Sequence, residues 1–321
     1  MHHRTLGSGH GPRISAVCLG TRPFGTTVDE PTAFAILDRF AEAGGTFVDT
    51  ANHYACWVPG ATGDESELLL GRWLRSRRAA GRTVVATTVG ARPDPAHGGR
   101  WPANTEGLGA SAVRAAMEGS LRRLGLDRVD LYYAHTEDRG VPLEETVEAL
   151  AGLVRDGTVD VLGAAHHRTW RLAEARLLAA GRGLPGFQAV QQRYTYLRPR
   201  RGLPPDHQVE TDEELLDYAA AHPGLTLLAH GTLMGGAYAR QDRPLPERYD
   251  HPGSVVRLRV LAEVAAECGA TVNQVVLAWL MGGQQPVVPV VGVTSPAQLD
   301  ECLAALDLHL DPVQRARLDT A

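Results

Sequence analysis

The sequence contains no lysine, so all 32 of its basic residues are arginine. Such a composition is the ordinary result of codon bias in a GC-rich genome. It still has a chemical consequence, because no reaction or contact that needs a lysine ammonium is open to this protein. Any positive charge in a site has to come from arginine or protonated histidine.

Cysteine is scarce as well, with Cys18, Cys56, Cys268 and Cys302 scattered along the chain. No two of them have the C-x-x-C spacing of a zinc or redox motif, and their distribution suggests no disulfide framework. We therefore expect four reduced thiols.

Long apolar runs and an excess of positive charge are also lacking. The first residues, MHHRTLG, contain no apolar segment of a signal peptide, and no stretch approaches the roughly 18 apolar residues of a membrane span. We therefore expect a cytoplasmic protein without a membrane partner. The net charge of -5 likewise gives no reason to expect a nucleic acid or an anionic membrane. A small-molecule substrate fits this composition better.

The chain has 321 residues, of which 44% are hydrophobic, so it can bury a large core. We expect it to form one domain over residues 1–321. Short apolar, β-branched runs alternate with helical patterns. The runs predict eight strands, at residues 16–19, 46–48, 83–86, 129–133, 159–162, 187–190, 226–228 and 287–291. The patterns predict helices at residues 30–43, 66–78, 111–124, 143–155, 172–180, 212–221 and 254–268.

Eight repeated βα units predict a parallel sheet that closes into a (β/α)8 TIM barrel. Gly44, Gly125 and Gly157 stand where helices end, because glycine readily takes the left-handed conformation there. The first fifteen residues suit a small β-hairpin that plugs the bottom of the barrel.

Polar residues follow most of the predicted strands. In this fold the active site lies at the carboxyl ends of the strands. The residues delivered to that edge include Asp49, Thr88, His135, His166 and Gln191. The sequence therefore predicts a polar site built from at least five strands.

Two segments resemble the aldo/keto reductases. GGTFVDTANHY at residues 44–54 is similar to the segment that carries the family's catalytic Asp and Tyr, and SLRRLGLDRVDLYYAH at 120–135 to the segment that ends in its catalytic His. Residues 157–163, Gln191 and the closing GVTSPAQL at 292–299 follow in the family's order. The resemblance runs from Leu6 to near the C-terminus and implies NADPH-dependent carbonyl chemistry.

The resemblance implies that Asp49, Tyr54 and His135 are catalytic. A carbonyl reductase needs a proton donor within hydrogen-bond reach of the substrate oxygen. Tyr54 is the candidate donor, and His135 could orient that oxygen or share its developing charge. Taken singly, such a tyrosine is often only a packed aromatic residue and such a histidine a core residue.

The sequence departs from the family at the catalytic lysine, where the aligned residue is Thr88. In the family, that lysine bridges the Asp and the Tyr and favours the phenolate. Without it, the pKa of Tyr54 should stay close to or above about 10, and ionised Asp49 should disfavour the phenolate further.

A second departure lies at the nicotinamide. The segment GAAH at 163–166 replaces the family's Ser-Asn, and Ala165 cannot form its hydrogen bond. His166 could, and Gln191 matches the family's remaining carboxamide ligand. Consecutive residues such as His166 and His167 do not face the same way, and no third ligand is spaced with them, so we expect no metal site.

The remaining cofactor residues come from strand ends and late loops. Leu233, Ser295 and Gln298 resemble pyrophosphate and adenosine contacts, while Cys302 replaces the usual Asn near the adenine. Arg240, with Arg243 and Arg248 in the same loop, could meet a 2′-phosphate, which favours NADPH over NADH. Gly20 and Thr21, at the end of the first strand, complete the predicted cofactor contacts.

Substrate contacts are predicted from the loops above the barrel mouth. Residues 55–64 form a long loop that carries Trp57, and the loop after the third strand carries Trp101. These rings could stack on a substrate or merely pack a lid. His53, together with His230 and Arg193, suggests a polar, sugar-like or natural-product substrate.

Three functions are consistent with these residues. The first is an NAD(P)H-dependent oxidoreductase in which Tyr54, His135 or another group handles the proton. The second is a reductase-like barrel repurposed for dehydration or epimerisation, and the third is a cofactor-binding regulatory subunit without turnover.

Overall fold

The computed structural model describes residues 1–99, 103–203 and 207–321. Within these ranges, eight parallel strands form a closed barrel in the order β10-β3-β4-β5-β6-β7-β8-β9. The barrel strands are β3 (Cys18–Gly20), β4 (Phe47–Asp49), β5 (Val84–Val89), β6 (Val129–Ala134), β7 (Val159–Ala165), β8 (Phe187–Arg193), β9 (Thr226–His230) and β10 (Val288–Gly292). The predicted (β/α)8 barrel is confirmed.

An antiparallel hairpin closes the N-terminal end of the barrel. Its strands are β1 (His3–Thr5) and β2 (Arg13–Ser15), and Arg4 pairs with Ile14. Leu6 and Ile14 are fully buried in the apolar cluster that fills the barrel interior. This confirms the predicted plug and leaves the opposite, carboxyl end of the barrel for a site.

Several strands are longer than the apolar runs that predicted them. The prediction of residues 83–86 was wrong for β5, which runs over Val84–Val89, and β7 extends from the predicted 159–162 to Val159–Ala165. The backbones of Thr87 and Thr88 continue the ladder opposite Tyr132 and Tyr133, although their side chains are polar. Backbone pairing, not side-chain hydrophobicity, therefore sets these strand ends.

The first barrel strand begins two residues later than the predicted 16–19. The backbone N–H of Ala16 donates to the carbonyl of His2 and so belongs to the hairpin side of the chain. The ladder with β4 starts only at Cys18, which pairs with Phe47, and ends where Gly20 pairs with Asp49. This register places Gly20 beside Asp49 at the rim.

Ten helices are formed by the described residues, and they surround the barrel: α1 (Glu30–Glu42), α2 (Glu65–Arg77), α3 (Ala110–Leu124), α4 (Leu143–Arg155), α5 (Thr169–Gly181), α6 (Glu213–Ala221), α7 (Pro252–Cys268), α8 (Val272–Met281), α9 (Pro296–Ala304) and α10 (Pro312–Thr320). Seven match predicted helices to within a few residues. Gly44, Gly125 and Gly157 have φ values of 81°, 67° and 75°, as their positions after helices predicted.

Three helices were not predicted. The sequence of α8, VNQVVLAWLM, is apolar almost all round and shows no polar face, while α9 and α10 have only nine residues each. Their start signals are nonetheless clear, because Thr271 and Asp311 form capping boxes and Ser295 caps α9. No single helix in the described ranges is long and apolar enough to cross a membrane, although α7 and α8 meet that test together as a pair bent by 95°.

Candidate active site

The site follows from the alternation of side chains along the barrel strands. Phe47, Ala86 and Leu131 belong to the apolar cluster inside the barrel. Since side chains two residues apart share a face of a strand, Asp49 and Thr88 continue this interior row at the carboxyl end. The barrel interior thus changes from apolar to polar at its mouth.

Asp49 is the central residue of the mouth and is 1% exposed. One carboxylate oxygen, Oδ2, accepts a hydrogen bond of 2.8 Å from the hydroxyl of Tyr54, and the other, Oδ1, accepts one of 3.0 Å from Nε2 of Gln191. Burial raises the pKa of Asp49 to about 6, although both hydrogen bonds act to lower it. Both donors are neutral, so the carboxyl group lacks the cation that the family places there.

Tyr54 lies half-buried in the loop that follows β4. Burial, and then the charge of Asp49 and the hydrogen bond to it, raise the pKa of the phenol well above 10. The expectation drawn from the missing lysine is confirmed in direction. Tyr54 is therefore a weak acid whose proton points at a carboxyl group.

Thr88 occupies the position of the family's lysine within β5. Its side chain is buried, and its hydroxyl makes no hydrogen bond with any described residue. The neighbouring Thr87 donates instead to Glu67, which also accepts from Arg123 at 2.6 Å. Arg123 therefore pairs with Glu67, and Asp49 has no salt bridge among the described residues.

Four histidine rings form a continuous row at the mouth. His53 packs edge-on against His135 with ring centroids 4.7 Å apart, His135 lies 5.5 Å from His166, and His166 lies 4.8 Å from His230. Each ring has one buried nitrogen, Nδ1 in the first three and Nε2 in His230, that has no hydrogen-bond partner in the described ranges. The sequence predicted a separate role for each of the first three histidines and indicated His230 only as a polar residue. It did not predict that the four rings are in contact.

Burial is the main cause that lowers the pKa of every imidazole in this histidine row. The pKa falls to about 4 for His135 and to about 3 for His230, and well below its ordinary value for His53 and His166. The rings are consequently neutral near pH 7, and each can both donate and accept a hydrogen bond.

His166 joins this row through an unusual backbone conformation. Its φ of 53° lies in the left-handed region, which a residue with a Cβ adopts at a cost of about 1 kcal/mol. His167 turns away, with Nδ1 2.7 Å from the carbonyl of Ala165. The two histidines do not converge, and no group of metal-ligating side chains occurs among the described residues.

Two of the predicted cofactor residues use their side chains within the protein. The hydroxyl of Thr21 donates to the backbone carbonyl of Asp49 at 3.0 Å and contacts Ser66 Oγ at 2.7 Å. The amide of Gln191 donates to Asp49, as described above. Both residues therefore hold Asp49 in place in this structure.

The other predicted cofactor residues lie around an open side of the mouth. Gly20 pairs with Gly292, which is exposed and has nothing within 4 Å of where a Cβ would stand. Ser295 caps α9, and its hydroxyl accepts from the backbone N–H of Gln298 at 3.3 Å. Leu233 is half-buried, whereas Arg240 is exposed and pairs with Asp242 at 2.5 Å.

These residues fit a nicotinamide nucleotide. Gly292, which pairs with Gly20 beside Asp49, leaves room for a flat ring, and His166 retains an unpartnered nitrogen for a carboxamide. The N-terminus of α9 offers backbone N–H groups suited to phosphate. Ala165 has no side-chain hydrogen-bonding group to offer that carboxamide.

A polar network fixes the loop that carries Tyr54, and sequence reasoning missed it. Arg92 pairs with Asp64 at 2.6 Å and donates to the backbone carbonyl of Asn52, whose side-chain amide donates to Glu106 at 2.9 Å. These bonds hold both ends of the loop against the segment that follows β5. Polar residues that lie far apart in the chain at irregular spacing give no signal in the sequence for such a network.

The predicted aromatic substrate residues are only partly described. Trp57 is 52% exposed, and the guanidinium of Arg22 stacks over its ring at 4.4 Å. Trp101 lies outside the described residues. One aromatic face is therefore available at the rim of the mouth, next to a cation.

Comparisons with known proteins agree with this geometry. The sequence model of the aldo/keto reductase family matches residues 16–321. The uncharacterized oxidoreductase YrpG of Bacillus subtilis is 31% identical over 94% of this chain and 90% of its own. Norsolorinic acid reductase stcV of Emericella nidulans is 31% identical over 96% of this chain and 78% of its own. Aryl-alcohol dehydrogenase GME11368 of Pestalotiopsis microspora is 28% identical, with coverages of 96% and 79%.

Proposed function

The chain belongs to the aldo/keto reductase family and is an oxidoreductase, and from that premise we propose that it transfers hydride between a nicotinamide nucleotide and the carbonyl or hydroxyl group of a small, polar, aromatic substrate. The observation that carries the proposal is the hydrogen-bonded pair of Tyr54 and Asp49. It lies between the strand ends at Gly20 and Gly292, of which Gly292 is exposed, and the row of histidines. A carbonyl placed there would meet a proton donor on one side and free space for a flat ring on another.

Aldo/keto reductases generally use NAD(P)H, which when bound supplies the hydride. The protein contributes the proton and the orientation. Tyr54 donates its hydroxyl proton to the substrate oxygen, while neutral His135 donates a second hydrogen bond to the same oxygen. Gln191 and Thr21 fix Asp49, which in turn fixes the Tyr54 hydroxyl.

The substrate class follows from the residues around the mouth. Neutral imidazoles both donate and accept hydrogen bonds, which suits hydroxyl and carbonyl groups better than charged ones. The exposed ring of Trp57 offers a stacking face. Two relatives are named as a norsolorinic acid reductase and an aryl-alcohol dehydrogenase, and the second name supports an aromatic alcohol or the matching aldehyde as substrate.

We favour NADPH over NADH because the loop after β9 carries exposed arginines. Arg240 could exchange its partner Asp242 for a 2′-phosphate, and Arg243 is exposed next to it. Arg240→Ala should weaken NADPH binding by about tenfold, the value of one charge-assisted hydrogen bond, and leave NADH binding unchanged. Arg243→Ala tests the second arginine of the loop in the same way, and an equal loss of NADPH and NADH binding in either variant would show that the residue does not recognise the 2′-phosphate.

The first experiment is a titration of the protein with NADPH and with NADH, followed by tryptophan fluorescence. Saturable binding is expected. A panel of aromatic aldehydes and alcohols is then screened for a change in nicotinamide absorbance. Tyr54→Phe should remove most of any turnover, whereas Tyr196→Phe, which deletes a buried hydroxyl without a described partner, should not.

The outcomes separate the candidate functions. No saturable binding of either nucleotide would remove the proposal. Binding without turnover on any carbonyl or alcohol would favour a regulatory subunit. Conversion of a substrate without net nicotinamide oxidation would favour dehydration or epimerisation, for which the neutral histidines could act as bases.

A further inference from the structure

We propose that Asp49 is the proton reservoir of the reaction: it acts as a carboxylic acid that passes its proton to Tyr54 as Tyr54 passes its own to the substrate oxygen. This inference rests on the proposed function. It assigns to Asp49 a chemical role, transfer of a proton, in a site where no lysine exists to hold Asp49 as a carboxylate.

The first support is the hydrogen-bond geometry. Tyr54 Oη lies 2.8 Å from Asp49 Oδ2, which is a suitable distance for a proton to move between two oxygens. The second oxygen, Oδ1, is held by Gln191 at 3.0 Å. The carboxyl group is thus fixed with one oxygen toward the Tyr54 hydroxyl and cannot turn without breaking both bonds.

The second support is that no positive charge from the described residues shifts the pKa of Asp49; Arg22 acts on Tyr54, whose pKa it lowers against the larger effects of burial and Asp49. The titratable groups that face it are the thiol of Cys18 on β3, the phenol of Tyr54 and the phenol of Tyr133 on β6. From β5 and β8 come the uncharged side chains of Thr88 and Gln191. Burial raises the pKa of all three titratable groups, so each is neutral near pH 7. A carboxylate in such surroundings is poorly compensated, so Asp49 keeps its proton to a higher pH than an exposed aspartate does.

The third support is the weakness of Tyr54 as an isolated acid. If Tyr54 alone lost its proton, a buried phenolate would remain beside Asp49, and the pKa of Tyr54 lies well above 10. A proton supplied from Asp49 in the same step avoids that phenolate. The charge left behind then resides on a carboxylate, which is a much weaker base than a phenolate.

The step balances as follows for reduction of a carbonyl. The Tyr54 O–H bond breaks and an O–H bond forms on the substrate oxygen. The Asp49 Oδ2–H bond breaks and a new O–H bond forms on Tyr54, so the phenol ends neutral and Asp49 ends as a carboxylate. When the product leaves, Tyr54 passes its hydroxyl proton to Asp49 and takes up a proton from hydronium or a buffer acid, because Tyr54 is half-buried whereas the carboxyl group is only 1% exposed. Oxidation of an alcohol uses the same bonds in reverse and needs the carboxylate.

The reservoir therefore predicts opposite pH dependences for the two directions. Carbonyl reduction should fall about tenfold per pH unit above a break near the Asp49 pKa of about 6, and alcohol oxidation should rise up to that pH and then level off. If His135 were the acid, the break would lie near its pKa of about 4. If Tyr54 acted alone, no break would occur below about pH 10.

Infrared spectroscopy of the nucleotide-free protein tests the acid form directly. The carbonyl stretch of a protonated carboxyl group should be present at pH 5 and lost by pH 7.5, and the difference from Asp49→Asn isolates it from Glu106 and Asp130, whose pKa values burial also raises. Thr88→Lys should shift this titration to lower pH. Asp300→Asn, on an exposed aspartate, is the control and should leave the band unchanged.

The expected result is the titrating band together with a break near pH 6 that Asp49→Asn abolishes while lowering reduction at pH 5 by about a hundredfold. Absence of an Asp49-dependent band at pH 5 would overturn the proposal. Turnover without the break would overturn the reservoir and leave the proposed function standing. Failure of every carbonyl and alcohol to react, with a normal band, would instead reject the proposed function and the relay with it.

Discussion

The Asp49→Asn substitution should change how the stability of the fold depends on pH. The pKa of Asp49 is about 6 in the folded protein against 3.8 for an unperturbed aspartate. Because the folded value is the higher one, the protonated carboxyl group favours the folded state below the unfolded pKa, and this contribution is lost as the pH rises through about 6. The difference between the two values corresponds to roughly 3 kcal/mol of unfolding free energy.

The assay is urea unfolding of the wild-type chain and the variant at pH 5 and at pH 8. About half of the 3 kcal/mol, roughly 1.5 kcal/mol, falls between these two pH values, because the aspartate of the unfolded chain is already ionised at pH 5 and the first half of the contribution is lost below that pH. Asn has one oxygen for two donors, so one hydrogen bond to Tyr54 or Gln191 weakens. That cost is the same at both pH values and cancels in the comparison.

The wild-type chain should therefore lose about 1.5 kcal/mol more than Asp49→Asn on going from pH 5 to pH 8. Asp300→Asn is the matched control, since Asp300 is exposed and pairs with Arg39 at 2.7 Å. It should follow the wild-type pH dependence. Parallel curves for the wild-type chain and Asp49→Asn would contradict this expectation, because they would mean that Asp49 titrates alike in the folded and unfolded states.

Three further substitutions test other parts of the site. Thr88→Lys should lower the pKa of Asp49 by about 1 to 3 pH units and remove the reservoir, but its charge should also lower the pKa of Tyr54, so that Tyr54 acts as the acid without Asp49. Aldehyde reduction at neutral pH should then rise and lose its break near pH 6, and an unchanged rate would argue against Tyr54 as the proton donor. Glu67→Gln should cost about 2 kcal/mol in urea unfolding, because it removes the buried carboxylate at 2.6 Å from Arg123 and leaves this guanidinium only its longer contact of 3.4 Å with Asp64; a loss below about 1 kcal/mol would contradict this. Trp57→Ala should raise KM severalfold with kcat nearly unchanged, and a fall in kcat alone would place Trp57 outside substrate binding.

The barrel and the location of the site could be predicted from the sequence for a clear physical reason. Parallel strands buried on both faces produce short apolar runs, and the first polar residue after each run stands at the carboxyl edge. Asp49, Thr88 and His135 were placed at the mouth by this rule, and the structure has them there. The weak acidity of Tyr54 likewise followed from the missing lysine.

Contacts that depend on barrel closure could not be predicted. The Gln191 amide reaches Asp49 across 142 residues of sequence, and only the closed barrel brings the two together. The histidine row likewise depends on the left-handed backbone at His166, a conformation for which histidine gives no clear signal. Helix α8 was missed because an apolar run of ten residues has no polar face to reveal its period.

The most direct test of the account is a crystal structure of the chain with NADPH and an aromatic aldehyde or an unreactive analogue of one. We expect the substrate oxygen to lie within hydrogen-bond distance of Tyr54 Oη, with the Tyr54 hydroxyl still hydrogen-bonded to Asp49 Oδ2 on its other side. A substrate oxygen bound to the histidines alone, or a Tyr54 hydroxyl turned away from Asp49, would contradict both the proton donor and the reservoir behind it.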